Sequence, residues 1–156
     1  MTARLVRGYL FFLMVGLFVQ GVGSLLFRLV SWLPAHSPLL VRGAFGIDFS
    51  HSWIHIVWGA AGVVVLVTRP DPRSDAWLAF TFGVFYTSFA ILGVTIHHPL
   101  GLQLDAFENG FHLVAGPLTL LVGVLALRSS GQRASGQPSS GQPSRPAVPA
   151  PARDSP

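Results

Sequence analysis

Apolar residues run almost unbroken through four stretches of the chain, about Gly8–Phe27, Phe49–Val67, Trp77–Ile96 and Phe107–Leu127, and the polar residues gather between them. A helix that crosses a bilayer needs roughly 20 mostly apolar residues. In lipid every backbone N–H and C=O must be paired within its own segment, so such runs fold as helices and not as isolated strands. The pattern therefore predicts an all-α membrane protein with four transmembrane helices in residues 1–128. From residue 129 to 156 the apolar character ends. Ser130-Gly-Gln, Ser135-Gly-Gln-Pro and Ser140-Gly-Gln-Pro recur, followed by Pro-Ala-Pro. A segment with so little to bury is expected to be a disordered tail.

The connections define the order of the spans. Val30–Asp48 is the longest, with Trp32 and Phe45 suited to the interface, where aromatic rings are favoured. Arg69-Pro-Asp-Pro-Arg-Ser-Asp75 is a tight turn: its prolines end the second helix, and Ser74 or Asp75 is the expected N-cap of the third. His97-His-Pro ends the third helix, and Asp105 is expected to begin the fourth, where negative charge suits the positive end of the helix dipole. Two of these segments resemble each other. His55-Ile-Val-Trp-Gly59 in the second span matches His112-Leu-Val-Ala-Gly116 in the fourth. The chain thus reads as two tandem helical hairpins, parallel repeats and not inverted ones.

Charge supplies an orientation. All ten basic residues are arginines. With the N-terminus inside, Arg4, Arg7, Arg69, Arg73, Arg128, Arg133, Arg145 and Arg153 lie on the inner side, and only Arg28 and Arg42 lie outside. Positive residues beside spans are retained in the cytoplasm, which predicts a multi-pass protein of the bacterial inner (plasma) membrane with both termini cytoplasmic. Arg4 and Arg7 would also suit a signal peptide. The apolar run after them exceeds the roughly 7–15 residues of a signal core, and no Ala-x-Ala follows, so a retained first helix is expected. The arginines form no continuous stripe, which argues against nucleic acid as a partner. With no cysteine, disulfides, iron–sulfur clusters and thiolate metal sites are excluded.

Two short hairpins, each carrying a His-x-x-x-Gly helix, resemble the small bacterial four-helix membrane proteins grouped as domain of unknown function 4383. The likeness covers about Arg4–Leu127 and rests on Asn109, His112 and Gly116 in the last helix and His55 and Gly59 in the second. Where the family repeats Asn-x-x-His in both halves, this chain has Ser52 in the first. The resemblance implies the architecture and brings no activity with it.

Candidate chemistry concentrates on the outer side, where all six histidines fall together with Asp48, Asp105 and Glu108. His36, His97 and His98 suit interfacial loops. His55 and Gly59 are four apart and share a helix face, as do His112 and Gly116. Each glycine lets a neighbouring helix approach, so each histidine should face protein. At 1.5 Å per residue His55 lies ~9 Å from its helix start, below the headgroups, where a polar side chain needs a partner. The favoured expectation is a polar clamp of His55, Gly59, Asn109, His112 and Gly116. In it the histidines bond each other, Asn109, Ser52 or a carbonyl, at about 0.6–2 kcal/mol per bond.

Three alternatives stay open. His51 and His55, like Glu108 and His112, are spaced i,i+4, so the four together would offer three imidazoles and a carboxylate to a divalent metal. His55 and His112 would also suit the axial positions of a haem, with Arg28 or Arg42 near a propionate. Transport is the third: Pro117 beside Gly116 could free a carbonyl, but mid-depth charge is lacking and four helices alone rarely enclose a path. Nothing resembles a catalytic nucleophile, a phosphate loop or a nucleotide fingerprint, so no enzyme is expected. The anticipated role is structural or partner-binding: lipid around the helices, and a membrane-protein partner or second copy against them. Close helix contacts are expected at Gly16, Gly59, Gly83, Gly93, Gly116 and Gly123.

Overall fold

A computed structural model describes residues 2–96, 102 and 106–135, with the side chains of 106 and 132–135 left aside. Among the described residues all regular structure is helical: α1 (Ala3–Leu29), α2 (Leu33–His36), α3 (Leu39–Phe45), α4 (Phe49–Thr68), α5 (Pro72–Ile96) and α6 (Ala106–Ser135). The helices α1, α4, α5 and α6 are each long and apolar enough to cross a membrane. Large apolar side chains such as Phe12, Leu26, Val57 and Val114 point outward from all the way round the bundle. A helix surface of this kind is stable against lipid, and the chain is a multi-pass membrane protein.

The helices pair as two hairpins, α1 with α4 and α5 with α6. Glycine is the reason for the intimacy of each pair. A Cβ placed on Gly59 would lie 2.6 Å from the Phe18 backbone nitrogen and 2.7 Å from the Met14 carbonyl oxygen. One on Gly116 would lie 2.7 Å from the Thr87 nitrogen, and one on Gly83 would strike the Leu120 backbone. Gly123 meets Phe80 in the same way, and Gly21, which the sequence pattern did not single out, meets the Ser52 carbonyl. Gly16 departs from expectation: its face is open, and it borders a groove of about 240 Å³ with Phe12, Gln20 and Phe111.

The ends of the spans differ from the sequence expectation in informative ways. Asp71 caps α5, not Ser74 or Asp75. Its carboxylate accepts from the Arg73 and Ser74 backbone N–H groups at 2.9 Å, and Pro72 then takes the first helical position, where a missing N–H costs nothing. The hydrogen bond from the Ser74 side chain, with those from the backbone, holds the Asp71 carboxyl below the usual carboxylate range. Asp48 caps α4 by accepting from the His51 N–H at 2.9 Å. The connection between α1 and α4 contains α2 and α3, and it is tied to α1. Gln20 donates to the Ala44 carbonyl and Arg28 to the Ile47 carbonyl, both at 2.9 Å, while Phe45 lies over Gly23. α6 continues to Ser135, into the segment expected to be tail, with Ser129 and Ser130 both donating to the Ala126 carbonyl. The rest of the expected tail, together with His97, His98 and Asp105, lies outside the described residues.

Candidate metal centre

The seam between the hairpins is built differently from the hairpins themselves. Large side chains fill it: Trp58 of α4 packs on Phe82, Phe85 and Tyr86 of α5, with ring centroids 5.7, 5.1 and 6.5 Å away. Polar pairs cross it near the end that holds the start of α1 and the α4–α5 turn. Arg7 of α1 lies 3.5 Å from the buried Asp75 carboxylate of α5 and also donates to the Leu66 carbonyl at the end of α4. Thr119 of α6 donates to the Ala115 carbonyl at 2.6 Å, so the Tyr9 hydroxyl, 2.5 Å away, must be the donor to Thr119 Oγ1.

Toward the opposite end the seam holds the histidines. His51 and His55 stand one turn apart on α4, and His112 comes from α6; all three are 1% exposed. The His51 ring lies 4.6 Å from His55 and 5.4 Å from His112, and His55 lies 6.1 Å from His112, centroid to centroid. One ring nitrogen from each can be chosen so that all lie within 4.8 Å of one another. Glu108, one turn before His112 and also buried, places Oε2 3.2 Å from His51 Nδ1. The i,i+4 pairs on α4 and α6 therefore face each other. The glycines one turn deeper do not act between them: Gly59 packs on α1 and Gly116 on α5, each inside its own hairpin.

Hydrogen bonding within the cluster is sparse. Neither ring nitrogen of His55 has a hydrogen-bond partner among the described residues, and neither has His112 Nδ1. The direct His55–His112 bond expected of a clamp is thus not formed. Ser52, the other partner considered for it, donates to the Asp48 carbonyl of its own helix at 2.9 Å. Asn109 sits half-buried beside the cluster on α6. Tyr86 of α5, which the sequence offers only as one of a few scattered polar residues within the spans, closes the cluster from a third helix. Its ring is 5.0 Å from His112 and 5.9 Å from His55, and its buried hydroxyl also has no partner among the described residues. Fully buried polar atoms normally find partners, and leaving one unmet costs about 1–3 kcal/mol. Several such atoms side by side, most of them imidazole nitrogens, form a set suited to a first-row metal ion. The remaining histidine in the described residues, His36, is exposed and bonds the Trp32 carbonyl at 2.8 Å. Comparison with protein families, curated proteins and solved structures finds no match for the chain.

Proposed function

We propose that this protein binds a divalent first-row transition ion between its two hairpins, with His51, His55 and His112 as ligands and Glu108 holding the His51 ring. The observation that carries this reading is His55: a fully buried imidazole with neither nitrogen partnered among the described residues, set among the ring nitrogens of two further buried histidines. Glu108 Oε2 lies 3.2 Å from His51 Nδ1, and a small turn of the ring to donate to it would leave Nε2 to present its lone pair, the carboxylate–histidine arrangement that orients metal ligands. The Glu108 charge also offsets part of the dication's charge in a site shielded from water. A tetrahedral ion with bonds of about 2.0–2.1 Å sets its donors about 3.4 Å apart, so rotations moving each ring by about an ångström would bring the nitrogens onto it. Such an ion would fasten α4 to α6 at the end of the seam where glycine packing plays no part.

A second reading has one observation of its own. The 3.2 Å contact between His51 and Glu108 already spans α4 and α6, and as an ion pair it would clamp the hairpins without metal. A haem is less well supported. The His51 ring and Tyr86 crowd the space between His55 and His112 that a macrocycle would need, and Arg28 is committed to the Ile47 carbonyl.

Elemental analysis of the full chain purified in detergent, after loading with zinc or copper and desalting, tests the metal reading. Stoichiometric metal is expected, lost in His55→Ala. A free ion at 100 times its dissociation constant should stabilise the fold by about 2.7 kcal/mol. Trace metal in the wild type, with thermal stability unchanged by either ion, would overturn the reading in favour of the clamp. We also place the chain in a bacterial plasma membrane with both termini cytoplasmic, on the arginine distribution. A periplasm-active reporter that works at Ser140 and not at Pro38 would reverse that orientation. The likeness to the domain of unknown function 4383 proteins is proposed on His55, Gly59, Asn109, His112 and Gly116 alone.

A further inference from the structure

The ligand set leaves one position unfilled, and Tyr86 stands beside it. Three imidazoles are one donor short of the four that zinc or cobalt ordinarily takes. The Glu108 carboxylate lies 3.2 Å from His51 Nδ1, and the group whose ligand atoms all lie within 4.8 Å of one another is His51, His55 and His112, without it. The Tyr86 ring of α5 packs against the rings of both His112 and His55, and its hydroxyl is buried without a hydrogen-bond partner among the described residues. Packing locks this side chain in place. Phe82 stacks on its ring at 4.2 Å, and Phe85 and Trp58 flank it at 5.4 and 6.5 Å. A phenol held in an apolar cage, its hydroxyl unmet by the described residues, is able to donate to a bound group.

Resting on the metal reading, we propose that the bound ion keeps one coordination position for a small exogenous donor, a water, hydroxide or small anion, and that the Tyr86 hydroxyl donates a hydrogen bond to it. Three protein ligands plus one exchangeable ligand is the pattern of open metal sites, in contrast to structural sites closed by four protein donors. The anion class follows from the donor chemistry: an ion carrying positive charge on one side and a neutral O–H donor on the other favour an acceptor with lone pairs and a negative charge. Its size is limited by the aromatic residues around Tyr86 to a few atoms. Tyr86 is a positioning residue here and does not itself bind the ion.

Cobalt(II) and azide provide the test, using the full chain in detergent. Cobalt reports its coordination through visible ligand-field bands, and no cysteine is present to add thiolate absorption. The wild type loaded with cobalt should show four-coordinate bands that shift saturably as azide is added. Tyr86→Phe keeps the ring and its packing, so it should bind cobalt with an unchanged spectrum but hold azide roughly ten-fold more weakly, the loss of one hydrogen bond to a charged acceptor. Absence of cobalt bands in the wild type would overturn the metal reading and this inference with it. Normal cobalt bands that ignore azide would overturn the open position alone and leave a closed metal site standing. Equal azide affinity in wild type and Tyr86→Phe would remove the role of Tyr86. An altered cobalt spectrum in Tyr86→Phe before azide is added would make the phenol a direct ligand, which also overturns the proposal.

Discussion

Within each hairpin, backbone meets backbone; between the hairpins, side chain meets side chain. The α1–α4 and α5–α6 pairs close on glycines whose missing Cβ atoms admit the opposite helix. The seam between pairs is held by aromatic rings, by Arg7–Asp75 and Tyr9–Thr119 toward one end, and by His51–Glu108 toward the other. The difference teaches how a small membrane protein can place polar groups without weakening itself. Lipid supplies no hydrophobic force between helices, so close contact depends on small residues and dispersion. A glycine interface has no room for imidazole. A seam of large side chains has room, and there the histidines collect.

The comparison predicts its own largest effect. Gly83→Leu drives a branched side chain into the Leu120 backbone and should separate α5 from α6, where no flexible neighbour can yield. Overpacking costs about 1–3 kcal/mol in ordinary cores, and a backbone collision belongs at or above the top of that range. The measured outcome should be loss of monodisperse protein in detergent. A well-folded Gly83→Leu would mean that the two helices are not held in backbone contact.

Next in size is the Arg7–Asp75 end of the seam. Arg7→Ala removes the cation beside Asp75, whose carboxylate is 2% exposed, and also a donor to the Leu66 carbonyl. Leaving a nearly buried carboxylate without its partner should cost about 1.5–3 kcal/mol, with the part-exposed guanidinium keeping the figure below that of a fully buried pair. Arg7→Ala with Asp75→Asn should recover part of the loss, because the second change removes the stranded charge. Equal destabilisation by the single and double variants, measured by thermal unfolding, would show that the pair carries no coupling. Thr119→Val is smaller again. It deletes the acceptor of the Tyr9 hydroxyl while keeping shape, and buried interhelical hydrogen bonds in membranes average about 0.6 kcal/mol with a maximum near 1.7.

The same distinction explains what the sequence made legible. The spans and the hairpin repeat were plain because each helix must be apolar over its whole length, whatever it packs against. The i,i+4 spacing of His51 with His55 and of Glu108 with His112 showed which groups share a helix face. It did not show that the two faces meet, since that depends on how the hairpins dock. Nor did it show that Gly59 and Gly116 serve contacts inside the hairpins: a glycine beside a histidine looks the same whichever neighbour it admits. Tyr86 and Thr119 carried no local signal at all. They matter through residues on other helices, and an apolar span with a scattered hydroxyl has the same pattern whether that hydroxyl meets a partner or a void. The α5 cap was misassigned by one turn because Asp71-Pro72 offers a cap followed by a first-position proline, a pairing outweighed in the sequence by the arginines and prolines around it.

Gly16 gives the smallest expected effect and the most direct check on the contrast. Unlike Gly59, Gly83, Gly116 and Gly123, it faces open space, beside the groove it shares with Phe12, Gln20 and Phe111 at the α1–α6 side of the seam. If glycine is required only where backbones touch, Gly16→Ala should be tolerated, and the helix-propensity gain of alanine should leave stability unchanged or raised by up to about 1 kcal/mol. Gly59→Ala, on the same face-to-face logic, should lower it, since its Cβ would lie 2.6 Å from the Phe18 nitrogen. The sign of the difference between these two substitutions, read from thermal unfolding in one detergent, carries the argument better than either value alone. Both replace the same residue by the same residue in apolar helices of one hairpin. Loss of stability at Gly16 comparable to that at Gly59 would mean that the groove is closed in the membrane, by lipid or by a second copy, and that the seam is as tightly packed as the hairpins it joins.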